Sequence, residues 1–188
     1  MLYNLLIADT EGYPMLPLVT PFEHNFWCDG KPILEAVPLL RFDCTPQAGE
    51  PVSWWDYLMP AVHIPLVSKR MREVLTRAGA DNIQYFPAEV LDPSTKTPRT
   101  YYAMNIVGLC SCVDRKRSVF TPAEGHELLI TDFERLVLTS DFIPSRIFRL
   151  AEQGVLAIVD ETVRQSAEAA GLTGVRFVLP ENLDYFDF

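Results

Sequence analysis

The sequence predicts an α+β fold: a mostly antiparallel sheet with two principal helices and a proline-rich, coil-rich N-terminal lobe. A capped helix running into a strand occupies Pro65–Val90. The same helix-to-strand pattern returns over Val159–Phe177. Between Pro14 and Pro65, prolines at 14, 17, 21, 32, 38, 46, 51, 60 and 65 forbid long helices and interrupt any strand ladder. Strands and helices do not alternate in the βαβ manner that a doubly wound sheet needs. At 188 residues the chain fits one domain, with residues 1–64 as the lobe and 65–188 as the α+β body.

The opening apolar run Leu2–Ala8 reads as a strand, closed by the turn formers Asp9–Gly12. The lobe that follows carries Phe22, Phe26, Trp27, Phe42, Trp54, Trp55 and Tyr57, an aromatic content expected of a segment that packs onto the body. In the first helix Ser68 is the N-cap, Met71, Val74, Leu75 and Ala78 form one apolar face, and Gly79 is the stop. Ile83, Tyr85 and Pro87 then alternate with Gln84 and Phe86, and Pro87 should end regular pairing or mark an edge. The polar turn Leu91–Thr100 leads to a strand over Tyr101–Val107, short enough a connection to pair it antiparallel with Ile83–Val90. Residues 128–143 are strongly apolar and ambiguous in period; strands are expected at Arg135–Leu138, Arg146–Leu150 and Val155–Val159. Val159, Asp160, Val163, Ala167, Ala170, Gly171, Val175 and Phe177 repeat the order and spacing of Val67, Ser68, Met71, Leu75, Ala78, Gly79, Ile83 and Tyr85. Two copies of one unit, or a coincidence of ordinary helix-to-strand units, account equally for that match. Residues 181–188 form an acidic aromatic tail.

A formal net charge of −9 repels nucleic acid phosphates and anionic membranes and attracts basic proteins. No basic leader precedes the first apolar residues, no apolar run reaches the roughly twenty residues a membrane span needs, and four cysteines are too sparse for a disulfide scaffold. A cytoplasmic protein with reduced thiols is the expectation, with no direct nucleic acid contact and no membrane contact.

Glycine-rich phosphate loops, dinucleotide fingerprints, nucleophile elbows and metalloprotease helices are all missing from the sequence. Cys110 and Cys112 could share a metal with His24, Cys28, Cys44, His63 or His126, but their spacing is too tight for a zinc knuckle and no second pair exists. Buried apolar thiols on one strand face are the expected alternative, and no metal or cofactor is assigned. His63, between Val62 and Ile64, is expected to be a hydrogen-bonded core residue, with a catalytic base as the competing role. Asp132 and Glu134 read as a solvated edge in preference to an acid–base pair. Arg115–Arg117 is a short basic run, and Lys69, Arg70, Arg72 and Arg77 give the first helix a basic side, either a solvated face or a local anion site.

A set of short motifs stands in a defined order: Leu66-Val67-Ser68 with Arg70 and Leu75, Gln84-Tyr85-Phe86-Pro87, Tyr101-Tyr102 with Asn105, Cys112-Val113-Asp114 with Ser118, Ile147-Phe148-Arg149, and Gly171-Leu172-Thr173-Gly174-Val175 with Phe177. The series resembles immunity protein family 11 of bacterial polymorphic toxin systems over roughly residues 60–180, with Arg115–Arg117 more basic than that pattern. The resemblance implies a non-enzymatic cytoplasmic antidote that binds a cognate toxin, often a nuclease, of systems that include type VI secretion. It supplies no catalytic residues. An acidic inhibitor of a basic nuclease would present Glu161, Glu168, Glu181, Asp184 and Asp187, with Tyr185, Phe186 and Phe188 as anchors. A regulatory binding protein of a secretion system and a small hydrolase using His63 or a cysteine are the alternatives, and a homodimer stays open.

Overall fold

The computed structural model describes residues 3–8, 16–21, 27–45, 52, 54–60, 62–139 and 145–183. Phe22, Phe26, His24 and the tail from Asp184 to Phe188 lie outside the described residues. Twelve strands and two helices are present among the described residues: β1 (Tyr3–Ala8), β2 (Leu40–Asp43), β3 (Tyr57–Leu58), β4 (Leu66–Val67), α1 (Lys69–Arg77), β5 (Ile83–Leu91), β6 (Pro98–Ile106), β7 (Leu109–Cys110), β8 (Val119–Ala123), β9 (His126–Arg135), β10 (Ile147–Leu150), β11 (Gln153–Asp160), α2 (Glu161–Ala169) and β12 (Val175–Val178). They build one sheet ordered β2-β5-β6-β4-β3, a second ordered β12-β1-β11-β10-β7, and the hairpin β8-β9. Pairing is antiparallel except for β2 on β5 and β7 on β10. The fold is therefore α+β with sheet dominant, as the sequence predicts.

Helix formation follows from the caps and the apolar stripe. The Ser68 side chain accepts from the Met71 amide and the Asp160 side chain from the Val163 amide, each satisfying an orphan donor. Met71, Val74 and Leu75 bury one side of α1, and Val163 and Ala167 one side of α2. Gly79 (φ +83°) and Gly171 (φ +59°) end the two helices in the left-handed conformation that glycine takes most readily.

The repeat in the sequence extends to a whole structural unit. In the first copy the β3-β4 hairpin leads to α1 and β5, and in the second the β10-β11 hairpin leads to α2 and β12. The registers coincide: Tyr57 faces Val67 as Ile147 faces Val159, and Tyr85 faces Met104 as Phe177 faces Leu6. The central strand comes from β6, directly after β5, in the first copy but from β1 in the second. Both copies turn equivalent side chains into one shared core, including Val67, Met71, Leu75 and Met104 from the first and Leu6, Val159, Val163 and Ala167 from the second.

Each sheet is covered on its outer face. Trp27, Leu40, Phe42, Ile64 and their neighbours pack on the side of the first sheet that carries Tyr101, Ala103 and Val90, so the proline-rich segment does dock on the body. Ile130, Phe133 and Leu136 cover Leu5, Phe148 and Ile158 of the second sheet. One expectation is corrected, and of the two alternatives for Pro87 the edge holds. The ambiguous apolar stretch forms its long strand at β9, which ends at Arg135, so Leu136–Leu138 lies beyond it except for a bridge from Leu138 to Val113. Ile130 and Phe133, three residues apart, share the buried side because the pairing with β8 skips Thr131, from Thr121–Asp132 to Pro122–Ile130, a bulge that no regular period in the sequence announces. Pro87 does not end β5, which pairs with β6 through it; β2 joins the other side of β5 from Ala88 onward, so up to Pro87 the strand is an edge.

Gly125 and Gly174 share a φ of +74°, but a Cβ would meet nothing within 4 Å at Gly125 and would lie 2.4 Å from both the Trp55 Cβ and the Tyr57 carbonyl oxygen at Gly174. Gly125→Ala should thus lose about 1 kcal/mol, the left-handed cost alone, and Gly174→Ala at least about 3 kcal/mol, read as the difference in unfolding free energy in urea.

Candidate interaction surface

Two carboxylates tie the helices together end to end. Asp56, 8% exposed, accepts from the Ser68 hydroxyl (2.6 Å), from Arg70 (3.1 Å) and from the amide of Thr173 (3.1 Å). Arg70 also donates to the carbonyls of Ala170, the C-cap of α2, and of Gly171 after it. At the other end Asp160 accepts from Arg146 (2.8 Å), whose Nε lies 2.9 Å from where a Cβ of Gly79 would stand. The helices therefore run antiparallel, and a cation sits at each C-terminus where the helix dipole favours it.

Their exposed sides differ in charge. On α2, Arg164 donates to both oxygens of Glu168 (2.5 and 2.6 Å) and to both oxygens of Glu161, one of them at 2.9 Å. Gln165 adds a bond to Glu161 at 2.9 Å. Arg164 holds the Glu161 carboxyl down at about 2, helped by Gln165 and opposed by partial burial, and the two glutamates raise Arg164 further above its ordinary value. The sequence-predicted pair Glu161 and Glu168 is thus brought together, around a cation that the sequence reading passed over although its i+3 and i−4 spacing was visible. Glu181 is exposed on a short 3-10 turn (Pro180–Asn182), and Asp184, Tyr185, Phe186, Asp187 and Phe188 fall outside the described residues.

On α1, Lys69, Arg72, Glu73, Thr76 and Arg77 line, with Tyr102 of β6, an open groove of about 490 Å³. The Arg72 guanidinium lies 4.7 Å from the Tyr102 ring centre and 5.2 Å from that of Tyr85. Burial pushes the Tyr85 hydroxyl up to about 12, with Arg72 opposing. Sequence reasoning saw the basic helix face but not its aromatic floor, because Tyr102 arrives from a different strand.

Cys110 and Cys112 are buried at 5% and 2% exposure in the core of the second sheet, and burial together with the neighbouring Cys110 raises the Cys112 thiol strongly. Among the described residues no three His, Cys, Asp or Glu side chains gather in a way that could hold a metal ion. His63 is not a core residue: it is exposed in a left-handed turn (φ 55°), and among the described residues no side chain bonds its ring. The turn bends back at Pro60, whose carbonyl accepts from the His63 amide, and carries the imidazole out of the apolar run. Arg115 is tied to the β8-β9 hairpin through the carbonyls of Glu127 and Leu128 and the Phe120 ring, and Arg117 pairs with Asp114 at 4.0 Å. Asp132 and Glu134 lie on β9, half-buried and exposed. Among the described residues no helix is long and apolar enough to cross a membrane.

Because the Glu161 carboxyl is lowered from 4.5 to about 2, its contribution to stability is complete above pH 4.5 and lost as pH falls towards 2. Glu161→Gln should flatten that part of the acid slope, measured as urea midpoints at stepped pH.

The model of the Immunity protein family (Imm11) matches residues 9–179, and the chain belongs to that family. No curated protein matches the chain by sequence.

Proposed function

We propose that, as a member of the Imm11 immunity family, this protein is an antidote that binds a cognate toxin and holds it inactive in the producing cell. Family membership over residues 9–179 carries this reading. It works by binding, not by catalysis: the side chains gathered on the helix faces are charged and aromatic, suited to gripping a protein surface. The site of action is the cytoplasm, where a toxin of a type VI or related secretion system would be held before export.

The finer reading is a basic nuclease toxin met by the acidic side of the chain. A net charge of −9 would speed that encounter, and Glu181 with the tail residues Asp184, Tyr185, Phe186, Asp187 and Phe188 would carry the contact. Glu161 and Glu168 contribute less to it, since they share the charge of Arg164.

The neighbouring gene is the natural source of the toxin. Expressed alone in a sensitive host it should stop growth, and co-expression of this protein should restore growth and yield a stable complex; toxicity with neither rescue nor complex would overturn the pairing. In that complex, Glu181→Gln with Asp184→Asn and Asp187→Asn should weaken affinity about tenfold or more and flatten its salt dependence, whereas Glu161→Gln with Glu168→Gln should change it less.

A further inference from the structure

Arg72 and Arg164 occupy the same position in the two copies, one residue after the paired core side chains Met71 and Val163. On α2 the residues three before and four after the arginine are Glu161 and Glu168, and both bind it. On α1 those positions hold Lys69 and Thr76. Asn4, which donates to Glu161 at 3.5 Å, is matched in register by Tyr102, the groove wall. Every group that closes the second site is therefore replaced in the first. Among the described residues no carboxylate bonds Arg72: Glu73 pairs with Lys69 at 3.9 Å, and its carbonyl takes the Arg77 Nε.

We infer that the α1 groove is a docking site for the carboxylates of an acidic helical segment on a partner protein, with Arg72 as their receiver. The arrangement around Arg164 displays the missing ligand: two glutamate side chains seven residues apart on one helix face. A guanidinium lying over aromatic rings uses its π face for that contact and keeps its N–H edge for an acceptor, so Tyr85 and Tyr102 hold Arg72 ready. Lys69 and Arg77 add positive charge, and Thr76 a hydroxyl, in a groove of about 490 Å³ that accommodates side chains. The net charge of −9 opposes a densely charged polyphosphate more than a segment bearing two carboxylates, which favours a protein ligand over nucleic acid. That the partner is the toxin rests on the antidote reading; the chemistry of the groove does not.

The test uses the full chain and a hexaglutamate peptide at low ionic strength, followed by NMR at the Arg72 side-chain NεH. Hexaglutamate should shift that resonance and hexalysine should not. Arg72→Gln should weaken binding at least tenfold. Lys69→Glu with Thr76→Glu, which rebuilds the α2 arrangement and keeps Arg72, should do the same while leaving the melting temperature unchanged or higher. The converse pair, Glu161→Lys with Glu168→Thr, should open a second site at Arg164. No binding, equal binding by wild type and the closed variant, or tighter binding of pyrophosphate or a hexathymidylate at the groove would overturn the proposal. None of these bears on rescue from the toxin, so the antidote reading stands or falls separately.

Discussion

The buried carboxylate of Asp56 and its counterpart Asp160 govern how the two halves meet. Helices of nine residues are marginal alone; here each has a side-chain cap at its start, Arg70 donates to the carbonyls that follow α2, and Arg146 lies beside Gly79 at the end of α1. Asp56 accepts from the α1 cap, from Arg70, and from Thr173 in the turn after α2, so a single side chain fixes the beginning of one helix relative to the end of the other. Asp160, the cap of α2, accepts from Arg146, whose side chain lies against Gly79 after α1. Once the helices are clamped antiparallel, their apolar stripes must share one core, and the two sheets take their places on either side of it.

Much of this was legible because it is local. Ser68, Asp160, Gly79 and Gly171 announce the helix ends, and the matched spacing of apolar residues announces the repeat. What the sequence hides is long-range. The equivalence of β6 and β1 cannot be read from spacing, because one follows its unit and the other lies ahead of both units. Pro87 was a sound warning of an edge, but only pairing with β2 from Ala88 shows where the edge ends. His63 sits in an apolar run and still faces solvent, because a left-handed turn redirects it; one residue's φ overrode its neighbours' hydropathy.

The two copies share a core and part company at the surface. Their interior pairs, Met71 with Val163 and Leu75 with Ala167, differ in size but not in character. Their exteriors are opposite: α2 satisfies its own charges, and α1 leaves a cation on an aromatic bed. Such a difference is informative because the backbone around it is the same, so it is not imposed by the fold. The basic side of α1 was visible in the sequence as Lys69, Arg72 and Arg77; that it forms a groove required Tyr102, brought in by β6.

The placement of β1 also sets a schedule. On the ribosome this strand is made well before its neighbours β11 and β12, so Leu5, Leu6 and Ile7 wait without a sheet while the first copy and the β8-β9 hairpin are translated. The first copy has its strands close together in sequence and is free to assemble early, whereas the second closes only by recruiting a strand made long before it. A chain cut short before β12 would leave β1 as a bare sheet edge, an open template for aggregation and a natural substrate for chaperones and proteases. Synthesis of β11 and β12 is thus written into the topology as a condition for a finished core.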